Sequence, residues 1–288
     1  MAAQILDGKA LSQQVREEVK VEVDKLRGLG VRPGLHVVLV GDDPASAIYV
    51  RNKGRACEKV GINGVTHRLP KETTEEELLD LLGKLNADDE VDGVLVQLPL
   101  PGHISESRVN DAMDPARDVD GFLPVNLGRL LAGREGLVPC TPAGIIRLID
   151  QSGTAIEGKR AVIIGRSIIV GKPVSLLLMQ RHATITVCHS RTRELARLAS
   201  EADILVAAIG RAKMVKGDWI KEGAVVIDVG MNRDENGKLC GDVDFDEAAG
   251  RAAWITPVPG GVGPMTIAYL LRNTVIACCA RRGLPSPF

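Results

Sequence analysis

The chain has 288 residues, enough for about two domains and a large buried core, so a disordered chain and a disulfide-stapled miniprotein are excluded. Its 36 Lys and Arg residues balance 37 Asp and Glu residues, which leaves a formal net charge of -1 and no global positive field to attract a polyanion. We therefore expect neither nucleic acid nor a membrane surface as a partner.

Six cysteines are spread along the chain without the paired spacing of a metal site or a redox motif. They are predicted to be free thiols in a reducing cytosol, and no metal site is expected. The first twenty residues lack the basic-then-apolar order of a signal peptide, and the longest charge-free stretch, 252–271, is interrupted by PVPGGVGP. These features predict a soluble, cytoplasmic protein.

Helix and strand patterns alternate through the first half of the chain. Apolar residues from Leu11 to Leu26 recur at helical spacing after Asp7, a candidate N-cap, and this pattern ends near Gly28. Further strands are predicted at 35–40, 65–69 and 93–98, and further helices at 46–60 and 74–85. Alternation of this kind favours a parallel sheet with helices on its faces.

The stretch between about Pro99 and Pro142 is dense in Pro, Gly and Asp and is predicted to connect two domains. Beyond it, the predicted strands are 161–164, 184–188, 204–207 and 224–228, and the predicted helices are 173–181 and 193–201. A final helix at 265–280 has no obligatory strand partner and is expected to pack on the first domain. The predicted fold class is α/β: two α/β domains flank a cleft, and the second is a Rossmann-like dinucleotide-binding domain with a parallel sheet.

A glycine turn follows the first predicted strand of the second domain. The strand AVIIG runs into Gly165, Arg166 and Ser167 and, after Gly171, into a helix that begins near Val174. Backbone N–H groups and the positive end of the helix dipole would meet there, which suits a pyrophosphate. An ordinary tight strand-to-helix connection is the alternative that this spacing leaves open.

The next predicted strand ends at Cys188 and is followed by Ser190, Arg191 and Arg193. An NAD-preferring site usually places an acidic residue in this position, on the ribose diol. Hydroxyl and guanidinium groups instead suit a 2′-phosphate, so the segment favours NADP as the cofactor. A solvated face at the start of a helix is the alternative.

Three polar features stand out in the predicted first domain. Tyr49 and Lys53 share one helix face at i, i+4 spacing. Gln97 stands at the carboxyl end of a strand, where open parallel sheets bind ligands, and Asp118 and Asp120 lie in a turn-rich segment. A surface pair on the helix and turn or capping duty for the carboxylates are the ordinary explanations.

Six motifs occur in this order along the chain: YVRNK, DGVLVQLPLP, PARDVDGF, PCTPAG, GRSIIVGKP and PVPGGVGPMT. Together they resemble the bifunctional methylenetetrahydrofolate dehydrogenase/methenyltetrahydrofolate cyclohydrolase family over essentially the whole chain. The resemblance implies a folate-binding catalytic domain at 1–122 plus 264–288 and a Rossmann-like NADP-binding domain at 123–263. It also implies a homodimer that interconverts tetrahydrofolates in one-carbon metabolism.

The resemblance also assigns roles to individual residues. Lys53 matches the family's catalytic lysine, and Gln97 matches the glutamine that contacts it. Tyr49 matches the tyrosine that stacks on the folate aminobenzoyl ring, and Asp120 matches the carboxylate that grips the pterin. The implied substrate-binding residues are Tyr49, Val50, Arg51, Asn52, Lys53, Val96, Gln97, Leu98, Asp120, Pro259, Gly260, Gly261, Val262 and Gly263. The implied NADP contacts are Gly165, Arg166, Ser167, Ser190 and Met231.

The implied reactions follow from the electronics of the substrate. Nitrogen lone pairs in 5,10-methylenetetrahydrofolate stabilise positive charge at the bridging carbon, so a hydride can leave to NADP+ without a strong protein base. Water then attacks the methenyl cation, and a proton is lost as the ring opens to 10-formyltetrahydrofolate. The resemblance implies that Lys53 handles this proton while Gln97 holds its amine in place.

Two other functions remain open at this point. An NADP dehydrogenase of the shikimate type would share the lysine-bearing first domain and the Rossmann second domain. However, the aromatic Tyr49 and the paired acceptor oxygens of Asp120 suit a pterin conjugate better than a compact hydroxy acid. A nucleotide-binding scaffold without turnover would have no need of Lys53, Gln97 and Asp120 together.

Overall fold

The computed structural model describes residues 2–288, apart from the side chain of Ala45, and divides into two compact units. Unit 1 comprises residues 2–13, 130–134 and 139–266, and unit 2 comprises residues 14–129, 135–138 and 267–288. The sequence analysis assigns the first residues of the chain to the folate-binding domain, whereas in the structure they pair with the sheet of unit 1.

The elements follow one another along the chain with short connections. In order they are β1 (Gln4–Ile5), α1 (Gly8–Gly28), β2 (Gly34–Val40), α2 (Pro44–Val60), β3 (Asn63–Leu69), α3 (Glu75–Ala87), β4 (Gly93–Val96), α4 (Glu106–Ala112), α5 (Pro124–Leu131), α6 (Cys140–Gln151), β5 (Arg160–Ile164), α7 (Gly171–Gln180), β6 (Thr184–Cys188), α8 (Leu195–Ala199), β7 (Ile204–Ala207), β8 (Val225–Asp228), β9 (Asn232–Arg233), β10 (Leu239–Cys240), α9 (Phe245–Ala249), β11 (Trp254–Ile255) and α10 (Val262–Arg281).

Unit 2 is built on a parallel three-stranded sheet in the order β3-β2-β4. Every residue of β2 is buried, which explains its unbroken apolar run, and α3 buries Leu78, Leu82 and Leu85 against the sheet. The helices begin at strong signals: the side chain of Asp43 caps α2, and Thr74 and Glu77 form a capping box on α3. The predicted alternation of strands and helices in this unit is confirmed.

The stretch 99–142, predicted to connect the two domains, also contains helices that were not predicted. The segment contains α4 and α5, and α6 begins at its end. Pro124 is the first residue of α5 and Pro142 the third of α6, positions at which the missing N–H of proline has no intrahelical acceptor in any case. The prolines therefore begin helices here, although their density had suggested an irregular chain.

Unit 1 contains a parallel six-stranded sheet in the order β1-β11-β8-β7-β5-β6. The four predicted strands of this half are confirmed, and α8 is shorter than its prediction. The strands β1 and β11 and the antiparallel pair β9 and β10 were not predicted, because two-residue strands have no measurable hydrophobic period. All six cysteines are free and buried, as predicted.

Helix α10 runs from unit 1 into unit 2. By length and composition alone it is apolar enough to cross a membrane, but 67% of its most apolar window is buried inside the structure. A buried core helix passes the same test, so this finding is weak evidence for a membrane span.

Candidate active site

Unit 2 brings Lys53 of α2 next to Gln97, the residue that follows β4. Nζ of Lys53 donates a hydrogen bond to Oε1 of Gln97 at 3.0 Å. Nε2 of Gln97 donates to the carbonyl oxygen of Leu98 at 2.8 Å, which fixes the end of the amide that faces the lysine. The lysine amine is thus held by an acceptor whose own orientation is fixed.

The neighbours of Lys53 on α2 differ in what they offer a ligand. Tyr49, one turn earlier, has 44% of its surface exposed, whereas Val50 is 1% exposed and belongs to the core. Arg51 and Asn52 are exposed. Val50 therefore contributes packing, and its side chain is not available to a substrate.

The strand that leads to Gln97 shows the same division. Val96 is buried in the core of unit 2, and Leu98, just beyond the strand, is 38% exposed. Leu98 is therefore the apolar side chain of this segment that a substrate can reach.

Asp120 lies in a turn of unit 2 and is half-buried. Burial raises the pKa of Asp120, the positive charge of Lys53 lowers it, and the negative charge of Asp118 raises it. Among the residues that the structure describes, none donates a hydrogen bond to the Asp120 carboxylate. This carboxylate is an unused acceptor close to the charge of Lys53.

The segment Pro259–Gly263 belongs to unit 1. Gly260 has a φ of 108°, and its carbonyl oxygen accepts a hydrogen bond from the backbone N–H of Lys9 at 2.9 Å. Gly261 is buried, and a Cβ there would come within 2.7 Å of the carbonyl oxygen of Pro257. A Cβ on Gly263 would meet nothing within 4 Å. Close packing within unit 1 thus requires glycine at 261, while 263 faces open space.

The glycine turn after β5 has the shape of an anion cradle. Gly165 has a φ of 132°, and a Cβ there would collide with the carbonyl oxygen of Ala208. Oγ of Ser167 accepts from the N–H groups of Val170 and Gly171 and thereby caps α7. In the described part of the chain, the exposed N–H groups of residues 166–169 donate to no protein acceptor. The turn fits a dinucleotide pyrophosphate, because these free donors lie beside a helix N-terminus.

The other cofactor candidates follow the ends of neighbouring strands in the same sheet. Ser190 and Arg191 follow β6, which pairs with β5, and both side chains are exposed. Met231 follows β8 and is 54% exposed. The carboxyl ends of parallel strands lie at the same end of a sheet, and Rossmann-like sheets bind dinucleotides there. These residues and Gly165 therefore lie at the end of the sheet where a dinucleotide would bind.

Two buried aspartates that were not predicted hold the loops at this end of the sheet. The Asp242 carboxylate accepts backbone N–H groups from Ile209, Gly210 and Arg211, which fixes the loop after β7. Asp228 accepts from Gly230, just before Met231, and burial raises the pKa of Asp228 to about 6. The sequence signals were weak: Asp242 follows Gly241 in GDVDFD, and Asp228 ends the predicted strand 224–228.

A chain with a tight glycine turn between a parallel strand and a helix in one unit, and a lysine amine oriented by a glutamine in the other, has the features of the two-unit nucleotide-dependent dehydrogenases. Family models match most of the chain: the tetrahydrofolate dehydrogenase/cyclohydrolase catalytic domain matches residues 6–120, and the NAD(P)-binding domain of that name matches residues 139–282.

Individual relatives agree over nearly the full length. The chain is 59% identical to the bifunctional protein FolD of Moorella thermoacetica, over 98% of this chain and 100% of that protein. The crystal structure of the bifunctional enzyme FolD from Campylobacter jejuni is 47% identical, with a TM-score of 0.95, and covers 97% of this chain and 100% of that one. The FolD structure from Trypanosoma brucei, complexed with NADP cofactor and inhibitor, is 41% identical, with a TM-score of 0.92, over 98% and 99% of the two chains.

The chain therefore belongs to the tetrahydrofolate dehydrogenase/cyclohydrolase family. Its activities are the NADP-dependent oxidation of 5,10-methylenetetrahydrofolate to 5,10-methenyltetrahydrofolate and the hydrolysis of that product to 10-formyltetrahydrofolate.

Proposed function

We propose that Lys53 moves the proton in the cyclohydrolase step, that Gln97 holds its amine in place, and that Asp120 binds the pterin. The observation that carries this proposal is the 3.0 Å hydrogen bond from Nζ of Lys53 to a Gln97 amide whose orientation is itself fixed. An amine held in this way can meet a substrate water in one defined direction.

The cyclohydrolase step needs a group that accepts a proton as water attacks the methenyl carbon. Lys53 donates one hydrogen bond to Gln97, and within the part of the chain that the structure describes its other N–H positions have no hydrogen-bond partner, so they can meet water and substrate. Gln97 is a neutral acceptor, so it orients the amine without adding a second negative charge to that of the nearby Asp120. The pair therefore suits proton transfer better than a simple ion pair.

Asp120 is assigned to the pterin because no described residue donates a hydrogen bond to its carboxylate and the side chain is partly removed from water. Two carboxylate oxygens can accept from a ring N–H and an exocyclic amine, an arrangement of two parallel hydrogen bonds. Tyr49 offers an exposed ring on the Lys53 face of α2, which supports its proposed stacking on the aminobenzoyl group.

The cofactor residues are proposed on the shape of the cradle. Gly165 and the free N–H groups of Arg166 and Ser167 would hold the pyrophosphate, and Ser190 with Arg191 would hold the 2′-phosphate. Bound NADP+ supplies the hydride acceptor. The role of the chain in the dehydrogenase step is to orient both reactants, since the substrate nitrogens already stabilise the developing charge.

The test compares Lys53→Ala with Lys59→Ala, which removes an exposed lysine from the last turn of the same helix. We expect Lys53→Ala to lower the cyclohydrolase kcat by about 100-fold or more, the usual contribution of general acid–base catalysis, and to lower the dehydrogenase rate less. Lys59→Ala should change neither rate. A full cyclohydrolase rate in Lys53→Ala would refute the proposal.

We also propose that the chain acts as a homodimer in the cytoplasm. The free buried thiols support a reducing compartment. The edge strand β6 exposes Val187 and the neighbouring α7 exposes Met179, an apolar edge that a second copy could cover. Light scattering of the purified protein should give a dimer mass, and a monomer at micromolar concentration would contradict this proposal.

A further inference from the structure

Asp118 stands two residues before Asp120 and is completely buried. Its Oδ1 accepts the backbone N–H of Gly121 at 2.9 Å. Its Oδ2 accepts the backbone N–H of Leu123 at 2.8 Å and Nδ2 of Asn126 at 2.9 Å. The carboxylate therefore closes the turn 118–123 from inside, with Asp120 on the loop that it encloses.

The amino-terminal side of this turn is held by other contacts. The N–H of Val94 in β4 donates to the carbonyl oxygen of Arg117 at 2.8 Å, and Nδ2 of Asn273 donates to that of Val119 at 2.8 Å. Gly93 has no room for a side chain there, since a Cβ would approach Cγ1 of Val119 to 2.6 Å. Residues 117–119 are thus fixed against β4, and the path beyond Asp120 depends on Asp118.

We infer that Asp118 is a positioning residue for folate binding: its buried carboxylate holds the turn 118–123 so that Asp120 presents its own carboxylate to the pterin. This inference rests on the proposed function of Asp120. The partners of Asp118, which include the backbone N–H of Phe122, are all N–H donors, so both of its oxygens are needed as acceptors. An asparagine in its place would turn an NH2 group toward a donor and remove one of the acceptor oxygens that close the turn, although the N–H of Gly121 would keep its 3.0 Å bond to the main-chain carbonyl oxygen of residue 118.

The charges around Asp120 give this role a signature that simple structural damage lacks. Lys53 and Asp118 act on Asp120 directly, and Glu106 of α4 lines the small pocket that Asp118 and Asp120 share. Besides burial, which raises the pKa of Asp120, and Lys53, which lowers it, the charge of Asp118 raises it. Removing that charge should lower the pKa of Asp120, so the ionised form would persist to lower pH.

The experiment uses the full-length enzyme with the substitution Asp118→Asn and measures the dehydrogenase reaction across pH. With NADP+ saturating, we expect KM for methylenetetrahydrofolate to rise about tenfold, the scale of one lost charged hydrogen bond. KM for NADP+ should stay within about twofold, and the acid limb of kcat/KM for the folate should move to lower pH. The inference stands only if the folate-specific rise and the shift of the acid limb are both seen, and the absence of either overturns it.

Two further variants serve as a control and as an independent test of the inference. Asp111→Asn removes an exposed carboxylate from the neighbouring α4 and should change neither KM nor the acid limb. Asn126→Ala leaves Asp118 in place but removes one of its donors, and KM for the folate should rise about two- to fivefold. If Asp118→Asn does not fold, Asn126→Ala decides, and an unchanged folate KM in that variant overturns the inference.

Asp120→Asn separates the inference from the proposal beneath it. We expect this variant to lose both reactions through weakened folate binding. Normal turnover of Asp120→Asn at low folate concentration would refute the proposed role of Asp120. If Asp120→Asn loses folate binding while Asp118→Asn does not, only the positioning role of Asp118 falls.

Discussion

The two units offer their ligands different parts of the chain. The candidate site in unit 2 is made of side chains, with the Lys53 amine, the Gln97 amide and the Asp120 carboxylate as its chemical groups. The cradle in unit 1 is made mainly of backbone N–H groups after Gly165. Removing a functional group should therefore disable the first site, whereas adding a methyl group should disable the second.

The largest expected effect is that of Gly165→Ala. The added Cβ would meet the Ala208 carbonyl oxygen, and the φ of 132° disfavours a side chain, with a backbone strain of about 1–3 kcal/mol. We expect the dehydrogenase kcat/KM for NADP+ to fall at least about 100-fold, equivalent to about 3 kcal/mol. Hydrolysis of supplied methenyltetrahydrofolate should stay within about twofold. Gly83→Ala is the control, because a Cβ at Gly83 on α3 would meet nothing within 4 Å. An equal loss of both activities in Gly165→Ala would contradict the expected difference between the two sites.

Gln97→Ala tests the site in unit 2 by removing the hydrogen-bond partner of Lys53. Without Oε1 the Lys53 amine loses its acceptor, and a hydrogen bond to a charged group contributes about 1.5–3 kcal/mol. The cyclohydrolase kcat should fall about 10- to 100-fold, and KM for NADP+ should not change. If the rate of this variant equals that of the unsubstituted enzyme, Lys53 does not depend on Gln97 for its orientation.

Arg191→Ala tests whether a side chain in unit 1 contributes to NADP binding in addition to the backbone N–H groups. Loss of a guanidinium from a 2′-phosphate should lower kcat/KM for NADP+ about tenfold and leave the value for NAD+ nearly unchanged. Arg197→Ala, which removes an exposed arginine paired with Glu194 and Glu201, is the matched control. A preference of the unsubstituted enzyme for NAD+ in parallel assays would overturn the roles of Ser190 and Arg191.

The smallest expected effect is a pH dependence of stability in unit 2. Nε2 of His67 lies 3.0 Å from Nδ1 of His36. Burial lowers the pKa of both rings, and the charge of His67 lowers the pKa of His36, while Asp88 and Asp92 raise it. The unfolded chain therefore binds more protons, so the free energy of unfolding should fall as the pH drops below the ordinary histidine value of 6.5. Urea denaturation at pH 7.5, 6 and 5 should show a smaller decline for His67→Gln, and equal declines would contradict this role of the pair.

Much of the fold could be predicted because the longer helices and strands show a clear periodicity of apolar residues in the sequence. The buried run of β2, the capping residues of α2 and α3 and the strands β5 to β8 all carry local signals in the sequence. The two-residue strands carry none, since they are defined by their pairing with a distant segment, as Gln4–Ile5 pairs with Trp254–Ile255. The helices α4 to α6 were missed because proline density indicates either a loop or the start of a helix.

The candidate site divides in the same way. Residue types drew attention to Lys53, Gln97 and Asp120 on a helix face, at a strand end and in a turn, and the family resemblance assigned their roles. Val50 and Val96 were predicted as substrate-binding residues next to Lys53 and Gln97 in the sequence, but both side chains face the core.

The family and its two reactions follow from the resemblance that the six ordered motifs carry, the cofactor from that resemblance and the residues after Cys188, and the main alternation of strands and helices from the apolar periods. The folded structure adds the 3.0 Å bond to the Lys53–Gln97 contact that the resemblance implies, and it alone shows that Asp118 closes the turn around Asp120 and that Asp242 shapes the loop after β7. The reason is physical: these hydrogen bonds form when folding removes donors and acceptors from water, and their partners are set by three-dimensional packing and not by local residue preference.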